Sequence, residues 1–484
     1  MSLPHTDGVP LWQLGASVTA SAIRERSISS VDVVRAAVDR MRSQNVHVNA
    51  VTVDLGDQAL VEAERADQAL RTGQPQGPLH GVPVTIKENV DQLGQRTPNG
   101  VPGLLHLVAT DDAPVVRNLK QAGAIIIGRT NTPEFSLRYF TDNPLRGLTK
   151  NPWDPAITSG GSSGGAAVAV ALGMGGIAHG NDLIGSLRYP AYCCGVTTIR
   201  PSFGRIPAYN PTQQSERTPF IQLMSVQGPI AREVRDLRLG LEVMAQRDPR
   251  DPWWVPAPLG APRSKTPIRV AVAYGFDDQR CEPEIADAIR RAADHLSDAG
   301  YAVDEIAPPS LHDANIYRLL FTDIRALMGE TIRTLGSPDI NAVLESYYQA
   351  YGPLDYSEFL QGLAARTKYW RQWILFLEDY PLVLWPVCLR KPFEVNEDLQ
   401  GPAAVAKILH AQFTMPIANF LGLPAVSVPA GVYSGKPLGV QIVGQRFRED
   451  LCLDAAQVIE NAAGIPARLL WKTYEHNRTT ASNA

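Results

Sequence analysis

Apolar residues in this chain recur at two periods, and the alternation between them predicts an α/β protein. Near the start, Val31, Val34, Val38 and Met41 repeat at helical spacing behind Ser29-Ser-Val-Asp32, which resembles a capping box. That pattern predicts a helix with one core-facing stripe. Farther on, Val82, Val84 and Ile86 alternate as in a strand, and the run ends on Lys87. A helix-like segment at 114–122 then leads into Ala124-Ile-Ile-Ile-Gly128, a second strand. The alternation returns downstream as a strand at 268–273, an amphipathic helix at 282–299 stopped by Gly300, and a strand at 301–306. Residues 310–380 read as mostly helical, Pro381-Leu-Val-Leu-Trp-Pro386 and Ala425-Val-Ser-Val-Pro429 as buried strands, and 449–463 as a closing helix.

No repeat, linker or charge block divides the 484 residues, so we expect one large α/β domain over 1–484 with an embedded variable segment. The 45 basic residues are scattered among 49 acidic ones, for a formal net charge of -4, which disfavours a nucleic-acid partner. The N-terminus lacks a basic region followed by an apolar stretch. No apolar run approaches the ~20 residues needed to span a bilayer. The expectation is a cytoplasmic protein with no membrane association. Cys193, Cys194, Cys281, Cys388 and Cys452 form neither CxxC pairs nor a disulfide framework, and the nine histidines include no HExxH, so reduced thiols and no metal site are expected.

The stretch 158–207 is crowded with glycine, serine and small residues without low-complexity repetition. Gly160-Gly-Ser-Ser-Gly-Gly165 precedes the alanine-rich run 166–171, which puts a glycine-rich turn at a helix N-terminus, where N–H groups can face an anion or oxyanion. It lacks the Gly-Lys-Ser/Thr ending of a P-loop and the spacing of a dinucleotide fingerprint. Residues 161–165 also satisfy Gly-x-Ser-x-Gly centred on Ser163, but the acid and histidine of such an elbow have no distinctive candidates beyond His410 or His476. Taken one at a time, Lys87 is an ordinary strand-end lysine and the serines are turn residues. Cys193 and Cys194 read as small buried thiols. Trp385, Pro386 and Phe393 suit a hydrophobic pocket and core packing equally well.

Three segments together are more specific: the lysine after its strand, the paired serines in the glycine-rich turn, and Gly180-Asn-Asp-Leu-Ile-Gly-Ser-Leu-Arg-Tyr-Pro190, which places Ser186 24 residues after Ser162. In these segments the chain resembles the amidase signature family. Further landmarks are Gly128-Arg-Thr-Asn-Thr-Pro-Glu134, Asn151-Pro-Trp-Asp-Pro155, Gly228-Pro-Ile-Ala-Arg232 and Gly422-Leu-Pro-Ala-Val-Ser-Val-Pro-Ala-Gly431 with Gly439-Val-Gln441. The context around Ser186 looks most like bacterial arylamidases, nylon cyclic-dimer hydrolases and urethanases of that family. The resemblance implies a large mixed central sheet flanked by helices on both faces. Its catalytic core would cover about 75–235 plus 400–465, leaving about 240–400 as the variable substrate-pocket segment.

The resemblance also implies roles. Ser186 attacks the carbonyl, Ser162 (after a cis peptide bond) relays its proton, and neutral Lys87 accepts it. A serine is a weak nucleophile without a positioned base, and an amine serves as that base only when its pKa is lowered. The backbone N–H groups of Leu183, Ile184, Gly185 and Ser186 would form the oxyanion hole. Ser163, Asn181, Asp182 and Arg188 would support the site. Two positions depart from the common family run: Asn181 stands where Thr is usual and Ile184 where Gly is usual. A branched residue does not readily take positive φ, so Ile184 implies an ordinary or reshaped backbone and a narrowed acyl pocket.

The implied reaction is hydrolysis of an amide or carbamate C–N bond of a small aryl or hydrophobic substrate through an acyl-enzyme, with no cofactor and no metal, by a monomer or homodimer. Two alternatives stand beside it: a glutamine- or asparagine-hydrolysing amidotransferase subunit, and a non-catalytic binding protein with a degenerate site.

Overall fold

A computed structural model describes residues 8–74, 77–213, 215–260 and 267–472. Eleven strands form one mixed sheet, in the spatial order Val51–Asp54, Ile125–Thr130, Pro83–Lys87, Ile177–Asp182, Val226–Ala231, Thr197–Arg200, Ala425–Tyr433, Lys436–Gly444, Leu382–Pro386, Arg269–Val272 and Ala302–Glu305. The expected α/β architecture with a large mixed sheet is what the chain adopts. Pro83–Lys87 runs parallel to both of its neighbours, Ile125–Thr130 and Ile177–Asp182, so its alternating pattern does not mark a solvent face. All five of its residues are buried. A strand paired on both sides and covered on both faces must place even its terminal lysine in the interior.

Six predicted elements appear within a residue or two of their expected limits, helices Pro114–Gln121, Pro283–Asp298 and Glu449–Ala463 and strands Arg269–Val272, Ala302–Glu305 and Leu382–Pro386, whereas the strand expected at 425–429 continues to Tyr433. The segment read as mostly helical contains Ile316–Leu335, Pro338–Ala350 and Tyr356–Asp379. The first expected cap is half formed. Ser29 Oγ accepts the Asp32 N–H at 3.0 Å, but the Asp32 carboxylate takes the Ser29 hydroxyl at 2.6 Å instead of closing on the cap's backbone. A full capping box closes instead at the start of Tyr356–Asp379, between Asp355 and Glu358.

Around the site, helix Gly164–Ala171 packs on Pro83–Lys87 and Ile177–Asp182, and all eight of its residues are buried. Its Gly/Ala/Val composition brings the helix close to the sheet, because no bulky side chain intervenes. Helix Arg188–Cys194 packs against Ala425–Tyr433 and Lys436–Gly444, which ties the first half of the chain to the last.

Candidate active site

Lys87 ends a central strand with no exposed surface, and its Nζ lies 2.8 Å from Ser162 Oγ, 3.1 Å from Ser163 Oγ and 2.8 Å from Asn181 Oδ1. Burial pulls its pKa well below the usual lysine value, with the charge of Asp182 acting weakly in the other direction. The partners' donor capacities fix what a neutral amine would do here. Asn181 Oδ1 can only accept, and Ser163 directs its own hydroxyl toward Asn181 O at 3.3 Å, so both take N–H bonds from Lys87. The remaining lone pair of the amine then faces the Ser162 hydroxyl proton. Asn181 is itself held by reciprocal bonds with Asn89, at 2.9 and 3.3 Å.

The glycine-rich turn places the serines by close backbone approach. A Cβ on Gly161 would come within 2.6 Å of the Tyr139–Phe140 backbone. The Gly161–Ser162 peptide is cis. Ser163 N–H reaches Ser186 O at 3.3 Å, which joins the turn to the following loop. Ser162 and Ser186 line one cavity of about 500 Å³, whose walls include Asn89, Phe135, Leu183 and Met328. Ser186 also borders a narrow apolar cleft formed with Leu183, Ile184, Leu320, Phe321 and Ile324.

A buried ion pair holds the loop before Ser186. Arg188 and Asp182 meet at 3.0 Å with neither side chain exposed, and Arg188 also donates to Met415 O (3.0 Å), to Gln441 Oε1 (2.6 Å) and to Asn419 Oδ1. Burial alone would raise the Asp182 pKa, but the charge and hydrogen bonds of Arg188, helped by Arg200 and Asn419, hold its carboxyl well below the usual carboxylate range. The carboxylate in turn accepts Gly185 N–H at 2.7 Å and Leu187 N–H at 3.2 Å. This geometry corrects one expectation: the Gly185 N–H points at Asp182 and is not free to face an oxyanion. Among the described residues, no tertiary hydrogen bond engages the N–H groups of Leu183, Ile184 or Ser186. Gly185 sits at φ +120°, a conformation open to glycine, and a Cβ there would collide with the Met415 sulfur at 2.5 Å.

Ile184 keeps an ordinary negative φ, its carbonyl accepts the Tyr139 hydroxyl at 2.8 Å, and its half-buried side chain lines the apolar cleft. The neighbouring Cys193 and Cys194 are fully buried, and burial raises both thiol pKa values, so neither presents a thiolate. His410 is exposed and bonds Gln279 at 3.1 Å, away from the cavity, while His476 lies outside the described residues. Trp385 packs on Trp373 (5.7 Å between ring centres) and Phe393 on Tyr189 (5.3 Å); neither lines the cavity that holds Ser186. Sequence reasoning missed Asn89, Tyr139, Asn419 and the pairing role of Gln441. Among the described residues no group of three His, Cys, Asp or Glu side chains is arranged to hold a metal, and no helix is long and apolar enough to cross a membrane.

A model of the Amidase family matches residues 32–453. The chain is 51% identical over 474 residues to an indoleacetamide hydrolase of Bradyrhizobium diazoefficiens, spanning 96% of this chain and 90% of that protein. Among solved structures, 6-aminohexanoate cyclic dimer hydrolase superposes with a TM-score of 0.81 at 28% identity, over 95% of this chain and 98% of its own. A bacterial aryl acylamidase of the amidase signature enzymes gives 0.82 at 26% identity, over 95% and 99%. With this match along nearly its whole length, the chain belongs to the Amidase family and is a hydrolase of amide C–N bonds other than peptide bonds.

Proposed function

We propose that the enzyme hydrolyses a small aryl-substituted amide of the arylacetamide type, the class to which the substrate named for its 51% identical relative belongs, with Ser186 as nucleophile, Ser162 as proton relay and Lys87 as base. The observation that carries this reading is the solvent-excluded Lys87 amine 2.8 Å from Ser162, which shares one cavity with Ser186. In the first half-reaction the Ser186 oxygen bonds to the carbonyl carbon. Its proton passes to Ser162 as the Ser162 proton passes to Lys87. Ser186 Oγ makes no side-chain hydrogen bond among the described residues, so its contact with Ser162 forms as substrate closes the gap, as catalytic contacts commonly do. The Leu183, Ile184 and Ser186 N–H groups receive the oxyanion. Collapse breaks the C–N bond as the proton returns through Ser162 to the leaving nitrogen. Water then repeats the sequence on the acyl-enzyme, releasing the acid and restoring Ser186.

The cavity of about 500 Å³, with the apolar cleft that adjoins it at Leu183 and Ser186, suits a substrate of this size. Asn181, Asp182, Ser163 and Arg188 act as positioning residues. The same reading treats 1–484 as one catalytic unit acting on a free small molecule in the cytoplasm, as monomer or homodimer. Purified enzyme assayed on indoleacetamide, an anilide, a small aryl carbamate and glutamine tests it. Turnover of the aryl amides with fluorophosphonate label mapped to Ser186 is expected. Activity confined to glutamine would favour the amidotransferase reading, absence of label the degenerate-site reading, and absence of carbamate turnover would remove the urethanase branch.

A further inference from the structure

Arg217 borders the catalytic cavity and also an adjoining chamber of about 390 Å³, whose walls include Tyr209, Arg250 and Trp253. Among the described residues its guanidinium makes no hydrogen bond and no ion pair; only its main-chain carbonyl is used, by the Gln222 amide at 2.6 Å. The two nearest carboxylates in charge are committed elsewhere. Asp251 accepts the Ala208 and Trp253 N–H groups at 2.7 and 2.8 Å, and Glu216 accepts from Gln213 at 3.1 Å. Arg250, the other cation of the chamber, is bound by Asp111 and Asp248. Arg217 is therefore a cation at the cavity wall with five unassigned donors. Arg217 is half-buried, and that burial lowers its pKa.

The catalytic geometry says which part of a substrate meets it. Ser186 borders both the large cavity and the apolar cleft, whereas Ser162 borders only the large cavity. The proton that releases the amine comes through Ser162, so the leaving nitrogen projects into the large cavity on the Arg217 side, and the acyl carbons point toward Leu320, Phe321 and Ile324. From this, and resting on the proposed function above, we infer that the enzyme also cleaves N-acyl amino acids, with an apolar acyl group at the cleft and the carboxylate of the leaving amino acid bound by Arg217. The step balances as ordinary amide hydrolysis. The C–N bond breaks, the Ser186 ester forms and is cleaved by water, and the products are the carboxylic acid and the free amino acid.

Three substrates share one acyl group: phenylacetamide, N-phenylacetylglycine and N-propyl-phenylacetamide, the last a neutral match for the glycine conjugate. A charge-assisted contact predicts a kcat/KM for the glycine conjugate on the order of ten- to hundredfold above that of the propyl amide. Arg217→Gln should bring that ratio close to one, and Arg217→Lys, which keeps the charge without the fork, should retain part of it. If phenylacetamide is cleaved but wild type does not prefer the glycine conjugate, or if Arg217→Lys and Arg217→Gln leave the ratio unmoved, the inference fails and the proposed function stands. If no aryl amide is cleaved at all, the proposed function itself fails. A misfolded Arg217→Gln protein, seen by circular dichroism, leaves the wild-type ratio and Arg217→Lys to decide.

Discussion

Replacing Lys87 with Ala tests the base directly, and the structure sets the size of the effect. Among the described residues the amine is the only titratable group within hydrogen-bond reach of Ser162, and it has no exposed surface through which solvent could substitute. A positioned general base contributes on the order of 10²–10⁴-fold in rate, or about 3–5.5 kcal/mol of barrier. Ser162→Ala interrupts the same path and should cost a similar factor. Because both residues act on one proton, their losses should not multiply. Lys87→Ala/Ser162→Ala should stay within about tenfold of the worse single variant, where independent roles would give about 10⁴–10⁸-fold. The pH profile supplies the second arm. Burial holds the Lys87 pKa well below the usual value, so kcat/KM in wild type should rise with pH as the amine loses its proton, then level off. Stopped assays of arylacetic acid release from about pH 5.5 to 9.5 read both. Lys87→Ala within tenfold of wild type, multiplicative losses, or a wild-type kcat/KM that falls across the rising limb would refute the assignment.

Ser186→Ala should abolish both turnover and fluorophosphonate labelling while leaving the far-UV circular dichroism unchanged, checked by intact mass spectrometry. Ile184→Gly should widen the apolar cleft and shift kcat/KM toward bulkier acyl groups; an unchanged substrate profile would show that Ile184 does not shape the acyl site. Asp182→Asn leaves Arg188 buried without its counter-charge and should destabilise the fold by about 3–5 kcal/mol, measured by denaturant unfolding. His179 is fully buried and bonded to Gln227 at 2.8 Å, and burial lowers its pKa from 6.5 to about 4. The unfolded chain therefore binds the extra proton first, and stability should fall as pH drops from about 6.5 to about 4, by up to about 3 kcal/mol from this group. His179→Gln should flatten that part of the curve.

What could be read from the sequence was local or encoded by spacing. Lys87 was legible because a strand pattern stops on it, and the serines because glycine crowds both segments. The helices at 283–298 and 449–463 were legible because their apolar stripe persists for four turns between clear stops. The strands Ile177–Asp182, Thr197–Arg200 and Val226–Ala231 were not anticipated. They are short, fully paired and nearly all buried, so glycine, histidine, threonine and proline occupy them without any alternation. The Lys436–Gly444 strand also went unread, although Ser434-Gly435 is a hairpin signal that could have revealed it. Asn89 and Tyr139 carry no motif. Their importance arises from contacts with Asn181 and Ile184, 92 and 45 residues away, which no local pattern encodes.

The longest of these contacts explain why the family landmarks at 422–441 belong to the same site as Ser186. Asn419 and Gln441 lie 231 and 253 residues from Arg188, yet both bond its guanidinium, while Asn419 also donates to Asp182 Oδ1 at 2.9 Å. Arg188 in turn fixes the carboxylate that holds Gly185 and Leu187, the residues on either side of Ser186. Ser186 is therefore held in place by groups on Thr414–Leu421 and Lys436–Gly444, the second of which is a strand of the central sheet. A guanidinium with this many partners has few alternative orientations, so it holds the loop in one arrangement; under the proposed mechanism this orders the Leu183, Ile184 and Ser186 N–H groups for the oxyanion before substrate arrives. Residues 240–400 supply Leu320, Phe321 and Ile324 to the cleft and, among the described residues, no bond to Arg188. Under the proposed function, that division separates the wall that meets the acyl group from the bonds that hold the loop of Ser186.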